Sequence, residues 1–389
     1  MRRSRPLGFC VLGSLLLSAA CAQKTEPAVH AATEETKTAP LHVDVPRNRE
    51  ADDLGRFLAG MPAREGSPFL ELQQRSEWQE HARASGKMWG TFERDRLPAL
   101  REFVQQELAA IKAPNAPLFY PFGGPDSLTV TTFFPGCSTY VLVGLEPPGT
   151  IPAVRQFRPD RLGAQLADMR GTLESLLIRS FFVTRQMDQE LRGQVTDGVL
   201  PDILVELVRG GVTILGARFV AIDEKAQVVD RPAGAKARNR GVVLEFENDA
   251  DHSVHQLWYL SVNLADDQIG KNPEFFKWVA SDGPAVTYLK ATSYLTHQNL
   301  FSQIRDHILD HSVAVLQDDS GIPYKFFTSR QWRVQLYGEY EQPYGSFRYL
   351  VQPDLQKAYR AGQDVRKLNF RIGYGYGRAP SNLLLAFPR

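Results

Sequence analysis

The chain has 389 residues, 43% of them hydrophobic, and 45 Lys+Arg against 44 Asp+Glu. The length suits one large domain or two ordinary ones, and the balanced charge leaves no bulk field to draw in nucleic acid. Three cysteines, Cys10, Cys21 and Cys137, leave the exported body described below without an internal disulfide, so its stability has to come from a core.

The N-terminus reads as an export signal over residues 1–20. Arg2, Arg3 and Arg5 form a positive region, and an apolar stretch follows from Leu7 to Leu17. The stretch is too short and wrongly flanked to span a membrane as a helix. Small residues Ser18, Ala19 and Ala20 lead to Cys21. "LLLSAAC" resembles the lipobox of bacterial lipoproteins, in which the cysteine thiol is acylated and becomes the new N-terminus. It departs from the pattern in placing Ser18 where leucine is usual. The resemblance implies lipidation at Cys21, with an ordinary secretory cut near Ala20 or Ala22 as the alternative. Ala22 is not aspartate, which under the enterobacterial sorting rule favours the outer membrane. Residues 21–50, rich in Ala, Thr, Glu and Pro, have too little apolar surface to offset ordering entropy and read as a disordered tether. The globular body is then expected at 51–389.

The body opens with helical signals. Trp78, Ala82, Ser85 and Trp89 form one stripe; Leu100, Phe103, Val104, Leu108 and Ile111 form a second, with Pro98 near its start. In "SLTVTTFFPGCSTYVLVGL" (residues 127–145), Leu128, Val130, Thr132 and Phe134 alternate. Tyr140 to Leu145 is nearly continuously apolar, so the stretch reads as a hairpin turning at Pro135–Gly136. Leu162, Leu166, Met169, Leu173, Leu176 and Leu177 predict a helix, and a further helix is expected over about Val183 to Leu191. Pro201 opens a short helix that stops at Gly210–Gly211. "VTILGARFVAID", "GVVLEFEN" and "VHQLWYLSVNL" read as strands, "NPEFFKWV" and the region from Phe301 to Leu309 as helices. In the tail, "VAVLQ", "YKFF", "WRVQLYGEY", "LNFRIGYGYG" and "NLLLAF" read as strands around a short helix, "PDLQKAYR". The pattern predicts an α+β (mixed α/β) body, amphipathic helices on a largely antiparallel sheet, with a sub-boundary near 225–240.

"FFVTRQ" (181–186) echoes "SYLTHQ" (293–298), and "GGPD" before Gly144 echoes "DDSG" before Gly338. Such echoes suggest two similar halves, against recurrence of amphipathic elements by physics alone. "YPFGGPD…FFP…YVLVGLEP" and "QDDSGIPY…VQLYGEY" resemble motifs of a family of exported bacterial lipoproteins of unknown function, over about Tyr120 to Ala386. That family has no established activity, so the resemblance implies no catalytic residue.

Candidate chemistry is therefore read from residue types. Ser320 in "DSG" superficially resembles a protease nucleophile, but no base or oxyanion motif accompanies it. Its expected form is a type I turn at Asp318-Asp319-Ser320-Gly321, with Gly321 at positive φ, between strands Val313–Leu316 and Tyr324–Phe327. His307 and His311, four apart on a helix, are the candidate metal pair, with Asp318 or Asp319 as a further ligand. His252 and His255 rank below them, and Asp306 and Asp310 repeat the spacing. Asp126, Glu146, Asp318, Asp319, Glu339 and Glu341 are candidates for paired-carboxylate glycoside cleavage. Tyr324, Phe326, Trp332, Tyr337, Tyr340 and Tyr344 are candidates for lining a sugar site, or simply for packing. "GYGYG" (373–377) is not a dinucleotide loop, and no cofactor is expected. Cys137 lacks a neighbouring base and reads as a turn residue. The basic run "RPAGAKARNR" (231–240) reads as a solvated loop. The expected function is a non-catalytic binding or scaffold lipoprotein of the cell envelope. Its partners are the membrane, through the lipid, and an envelope protein or polysaccharide. The alternative is an envelope hydrolase of glycan or peptide, with catalytic candidates Asp318, Asp319 and Ser320.

Overall fold

Each strand of the body places alternate residues on opposite faces, and both faces are apolar. Tyr140 and Leu142 join one core cluster while Val141 and Val143 join another; Leu257 and Tyr259 oppose Trp258 and Leu260 in the same way. A strand buried on both faces requires a helical layer on each side. The computed structural model, which describes residues 41–111, 116–179, 198–362, 364–376 and 380–389, has that arrangement.

The strands are β1 (Leu118–Tyr120), β2 (Thr139–Gly144), β3 (Val212–Ile222), β4 (Val228–Asp230), β5 (Arg240–Asn248), β6 (Val254–Ser261), β7 (Ala285–Leu289), β8 (Ser312–Gln317), β9 (Arg333–Gly338), β10 (Val365–Arg366) and β11 (Asn382–Phe387). They form one sheet in the order β10-β9-β11-β8-β7-β1-β2-β6-β5-β3-β4. The fold is α+β, as expected. Antiparallel ladders carry most of the paired residues, but the middle of the sheet, β8-β7-β1-β2-β6, is parallel.

One face carries α1 (Glu50–Leu58), α2 (Leu70–Gln73), α3 (Ser76–Asp95), α4 (Leu97–Glu107), α5 (Ser127–Phe133), α6 (Leu162–Arg179) and α7 (Leu200–Arg209). The other carries α8 (Asp266–Ile269), α9 (Pro273–Val279), α10 (Ser302–His311), α11 (Tyr324–Ser329) and α12 (Pro353–Ala361). Trp78, Ser85 and Trp89 are buried as their spacing predicts, and His81 joins them. α7 is buried almost all round and stops at Gly210.

Several expectations give way. The stretch at 128–134 is helix α5, not a strand: Leu128, Val130 and Phe133 bury against the first core while the threonines stay half-exposed. "YKFF" is helix α11, begun by Pro323, whose fixed φ suits a helix start. β8 therefore leads to a crossover and not to a hairpin, and Gly321 does not take positive φ. Of "LNFRIGYGYG", residues 368–376 form a loop after β10 with a 3₁₀ turn at Gly373–Gly375, and Gly377 lies outside the described residues. The tether does not reach residue 50. Leu41 and Val45 are buried in the second core, Leu41 N donates to Asp282 Oδ1 (3.1 Å), and Val43 N donates to Gln256 Oε1 (3.1 Å). The sub-boundary near 225–240 is absent, because β3 and β5 pair across it along their length within one unit, Thr38–Arg389. The two halves do not share strand order: β2 lies beside β1, whereas β11 inserts between β8 and β9. The signal, Cys21, "FFVTRQ" and the helix expected over 183–191 lie outside the described residues.

Candidate functional site

The connection β1–α5–β2 crosses the first face, and β7–α10–β8 crosses the second in the opposite direction along the sheet. β1 and β7 are neighbours, paired at Leu118↔Val286 and Phe119↔Thr287. The chain leaving each strand therefore turns to a different side, which opens a crevice beyond their carboxyl ends. That is where open parallel sheets take ligands. A cavity of about 230 Å³ occupies this place.

The segment after β1, "PFGGPD", forms one side. Phe122 has φ 64° and Gly124 φ 56°. A Cβ on Gly123 would stand 2.5 Å from the Tyr120 ring, so only glycine lets the chain turn so closely over that ring. The segment after β7, "KATSY", forms the other side. Ala291, Ser293 and Tyr294 have φ of 51°, 54° and 54°. Three non-glycine residues in the left-handed region cost about 1–3 kcal/mol each and persist only where surrounding contacts hold them.

Those contacts come from the catalytic candidates of the sequence. Asp318 Oδ2 accepts from Ala291 N (2.8 Å) and Oδ1 from Ser320 N (3.0 Å). Ser320 Oγ accepts from Thr292 N (2.8 Å). Tyr294 Oη donates to Asp319 Oδ2 (2.6 Å), and Asn382 Nδ2 donates to Asp319 Oδ1 (2.9 Å). Asp318 and Ser320 are buried and line no part of the cavity, nor does Asp319. Burial raises the Asp318 carboxyl, and burial beside Asp318 raises Asp319 to about 7. This set is a latch for the strained segment, with its serine hydroxyl already engaged and shut away from solvent. A Cβ on Gly373 would collide with Asp318 Oδ2, which explains the glycine that begins the 3₁₀ turn.

The latch presents Lys290. Its Nζ lies 2.5 Å from Asp126 Oδ2, with the two side chains 4% and 10% exposed, and donates to Thr129 Oγ1 (3.3 Å). Tyr120 Oη donates to the same Asp126 oxygen (3.0 Å). Asp126 precedes α5 but does not cap it. That role falls to Glu206 of α7, whose Oε2 accepts from Leu128 N (2.9 Å) and Ser127 Oγ (3.0 Å). Asp126 is thereby left for Lys290. Burial, with nearby Asp126, raises Glu206 to about 8 against the lowering effect of its two donors. Burial is the larger influence, so Glu206 holds its proton at neutral pH. Lys290, Asp126, Glu206 and Glu146 all border the cavity, and Phe92, Leu100, Leu128 and Ile372 supply apolar wall. Arg96 lies 4.1 Å from the Tyr376 ring centroid, also at the wall. At the mouth, Leu145 is exposed and Phe122 meets Phe301 edge-on at 5.8 Å.

Of the carboxylate candidates, the structure brings Asp126 and Glu146 to the site; Glu339 and Glu341 are exposed elsewhere. The histidine pair is not joined to the aspartates. His307 and His311 stack on each other at 4.4 Å, and His307 stacks on Phe276 at 4.5 Å, at the start of β8. Asp318 follows the other end of that strand, roughly 20 Å away at strand rise. Asp306 and Asp310 pair with Arg330. Among the described residues no group of three His, Cys, Asp or Glu side chains is placed to hold a metal ion. His255 is buried, with Nδ1 2.8 Å from the Cys137 carbonyl oxygen, and exposed His252 pairs with Glu247. Burial lifts the Cys137 thiol to about 12, in keeping with a packed turn residue. Trp332, Tyr337 and Tyr340 are core residues.

The site defines a class: a mixed-sheet domain with a buried acid–base cluster in the crevice at its switch point. No protein-family model, curated protein or solved structure matches the chain. Lys290 and Glu206 escape a motif search. Their signals are a lysine ending the apolar run "AVTYL" and an acid inside the apolar helix "LPDILVELVR".

Proposed function

We propose that the chain is an envelope lipoprotein whose body binds a small ligand in the crevice beyond β1 and β7. The observation that carries this is the cavity that combines the buried Asp126–Lys290 pair with an apolar wall of Phe92, Leu100, Leu128 and Ile372. A desolvated ion pair fixed by Tyr120 and Thr129 orients a polar group strongly, and the apolar wall takes the rest of an amphipathic molecule. The export signal and Cys21 support anchorage at the outer membrane. They rest on the sequence alone.

The test is thermal-shift screening of the purified protein against fractions of an envelope extract. Expected are fractions that raise the melting temperature of the wild type but not of Thr132→Trp, which fills the cavity from α5. No stabilising fraction, or equal stabilisation of both proteins, refutes the reading. A second reading, hydrolysis of glycan or peptide in the same crevice, is favoured by Glu206, a protonated acid close to the Asp126 carboxylate. Such a pairing suits general acid–base work. It requires Glu206→Gln to abolish turnover of any substrate found while leaving its binding intact.

A further inference from the structure

The basic run at 231–240 is not an isolated solvated loop. It forms one wall of a groove of about 600 Å³ on the same edge of the sheet as the cavity. Lys236, Arg238 and Arg240 line one side, and Lys271, from the segment between α8 and α9, lines the other. The two walls are tied together. Asn239 Nδ2 donates to Asn272 Oδ1 (2.7 Å) in a buried contact, and Arg238 Nη1 donates to the Lys271 carbonyl oxygen (2.7 Å). Arg240 also borders a second hollow, which Arg231 lines. No aspartate or glutamate lines either hollow. Two acids flank the groove without lining it: buried Glu274 is 3.9 Å from Arg238, and exposed Asp267 accepts from Gln268 Nε2. In a chain of 45 cations and 44 anions, this is a local segregation of charge and not a bulk excess.

We propose that this groove binds an acidic polysaccharide, a chain of sugar units bearing repeated carboxylate or phosphate groups. Lys236, Arg238 and Arg240 alternate along one segment and Lys271 lies on the other wall, a cluster suited to a polymer that carries several anions. Asn263 and Gln268 stand among them with amides suited to sugar hydroxyls. The absence of aromatic side chains from the Lys236–Lys271 hollow disfavours single-stranded nucleic acid, which stacks its bases on such rings.

The probe is oligogalacturonate, with maltohexaose as its neutral counterpart, titrated calorimetrically into the whole protein. The wild type is expected to prefer oligogalacturonate, with affinity falling as salt rises. Lys236→Glu/Lys271→Glu is expected to weaken binding about tenfold at an unchanged melting temperature, since exposed charges on a groove mainly steer and select. Lys236→Gln/Lys271→Gln, a milder change, is expected to show a smaller loss. Thr132→Trp is expected to leave this binding unaltered, which separates the groove from the cavity; loss in that variant would move the site to the cavity and overturn the proposal. Equal affinity for maltohexaose, or wild-type affinity in both double variants, overturns it too. So does tighter binding to an oligothymidylate or to vesicles of phosphatidylglycerol and phosphatidylcholine in equal parts.

Discussion

Lys290 is held by one carboxylate, and that carboxylate is in turn held by Tyr120. Removing one member of a buried pair strands the other, which costs about 3–5 kcal/mol, whereas replacing both with apolar groups is often neutral. Asp126→Ala is therefore expected to lower unfolding free energy by about 3 kcal/mol, the low end because the cavity admits solvent. The double variant Asp126→Leu/Lys290→Met is expected to recover most of that loss. Urea denaturation of Asp126→Leu, Lys290→Met and the double variant closes the cycle; additive losses would mean that the pair is not coupled. The strain after β7 is testable one residue further on. Ala291 has φ 51°, and Ala291→Gly removes a Cβ penalty of about 1 kcal/mol. If the latch holds Lys290 in place through that strain, the variant melts higher and binds ligand less tightly. Lower stability in Ala291→Gly would show that the methyl group packs more than it strains.

At the scale of elements, the last strand holds the most leverage. β11 pairs with β8 on one side and β9 on the other, so it joins β9 and β10 to the rest of the sheet. Leu383 and Leu385 face one core, Leu384 and Ala386 the other, and Asn382 secures Asp319 in the latch. Deleting residues 381–389 is expected to abolish cooperative unfolding followed by near-ultraviolet circular dichroism. Leu385→Ala, which leaves the strand in place, is expected to cost about 2–5 kcal/mol. A sharp transition in the truncated chain would contradict the insertion of β11 as a keystone. The sequence makes the regular elements legible where one period rules a long stretch, as in α3, β3, β5 and β6. It misleads where β-branched residues meet an ambiguous pattern. "LTVTTFF" satisfies a two-residue alternation and has threonines suited to strands, yet Glu206, from a helix far along the chain, supplies one oxygen that accepts from both Leu128 N and Ser127 Oγ at the start of the helix. The site was legible to the same extent. Asp126 and Glu146 stand out beside glycine and proline, while Asp318 and Ser320 stand out for a catalytic look that burial rules out. No local pattern announces that Lys290 and Asp126 meet, because their meeting depends on β7 lying beside β1, a long-range choice of sheet order.

Across the whole molecule, two helical layers seal a sheet buried on both faces, and several ionisable groups are trapped in their neutral forms. Burial lowers His81, His297 and His307 to about 4, and raises Asp319 to about 7 and Glu206 to about 8. The two kinds act in opposite directions. Each histidine is neutral in the folded state while the unfolded chain takes up a proton below about pH 6.5, so its contribution is lost as pH falls from there to about 4. Each raised carboxyl keeps a proton that the unfolded chain gives up above about pH 4, so its contribution is lost as pH rises to the folded value. Below about pH 6.5 the two effects oppose each other. Above it the buried histidines are neutral in both states and the carboxyls act alone. Exposed His252, raised by its bond to Glu247, adds a change of the same sign. Stability is therefore expected to fall between about pH 6.5 and pH 8, by up to about 1.4 kcal/mol per pH unit for each buried carboxyl still titrating. Glu206→Gln keeps a side-chain oxygen to accept from Leu128 and Ser127 but has no proton to release, so it is expected to flatten most of that slope. Urea midpoints measured across this range for both proteins decide the matter. A wild-type midpoint that stays level or climbs would mean that Glu206 is ionised in the folded protein, and the proton-donor reading of the crevice would fall with it.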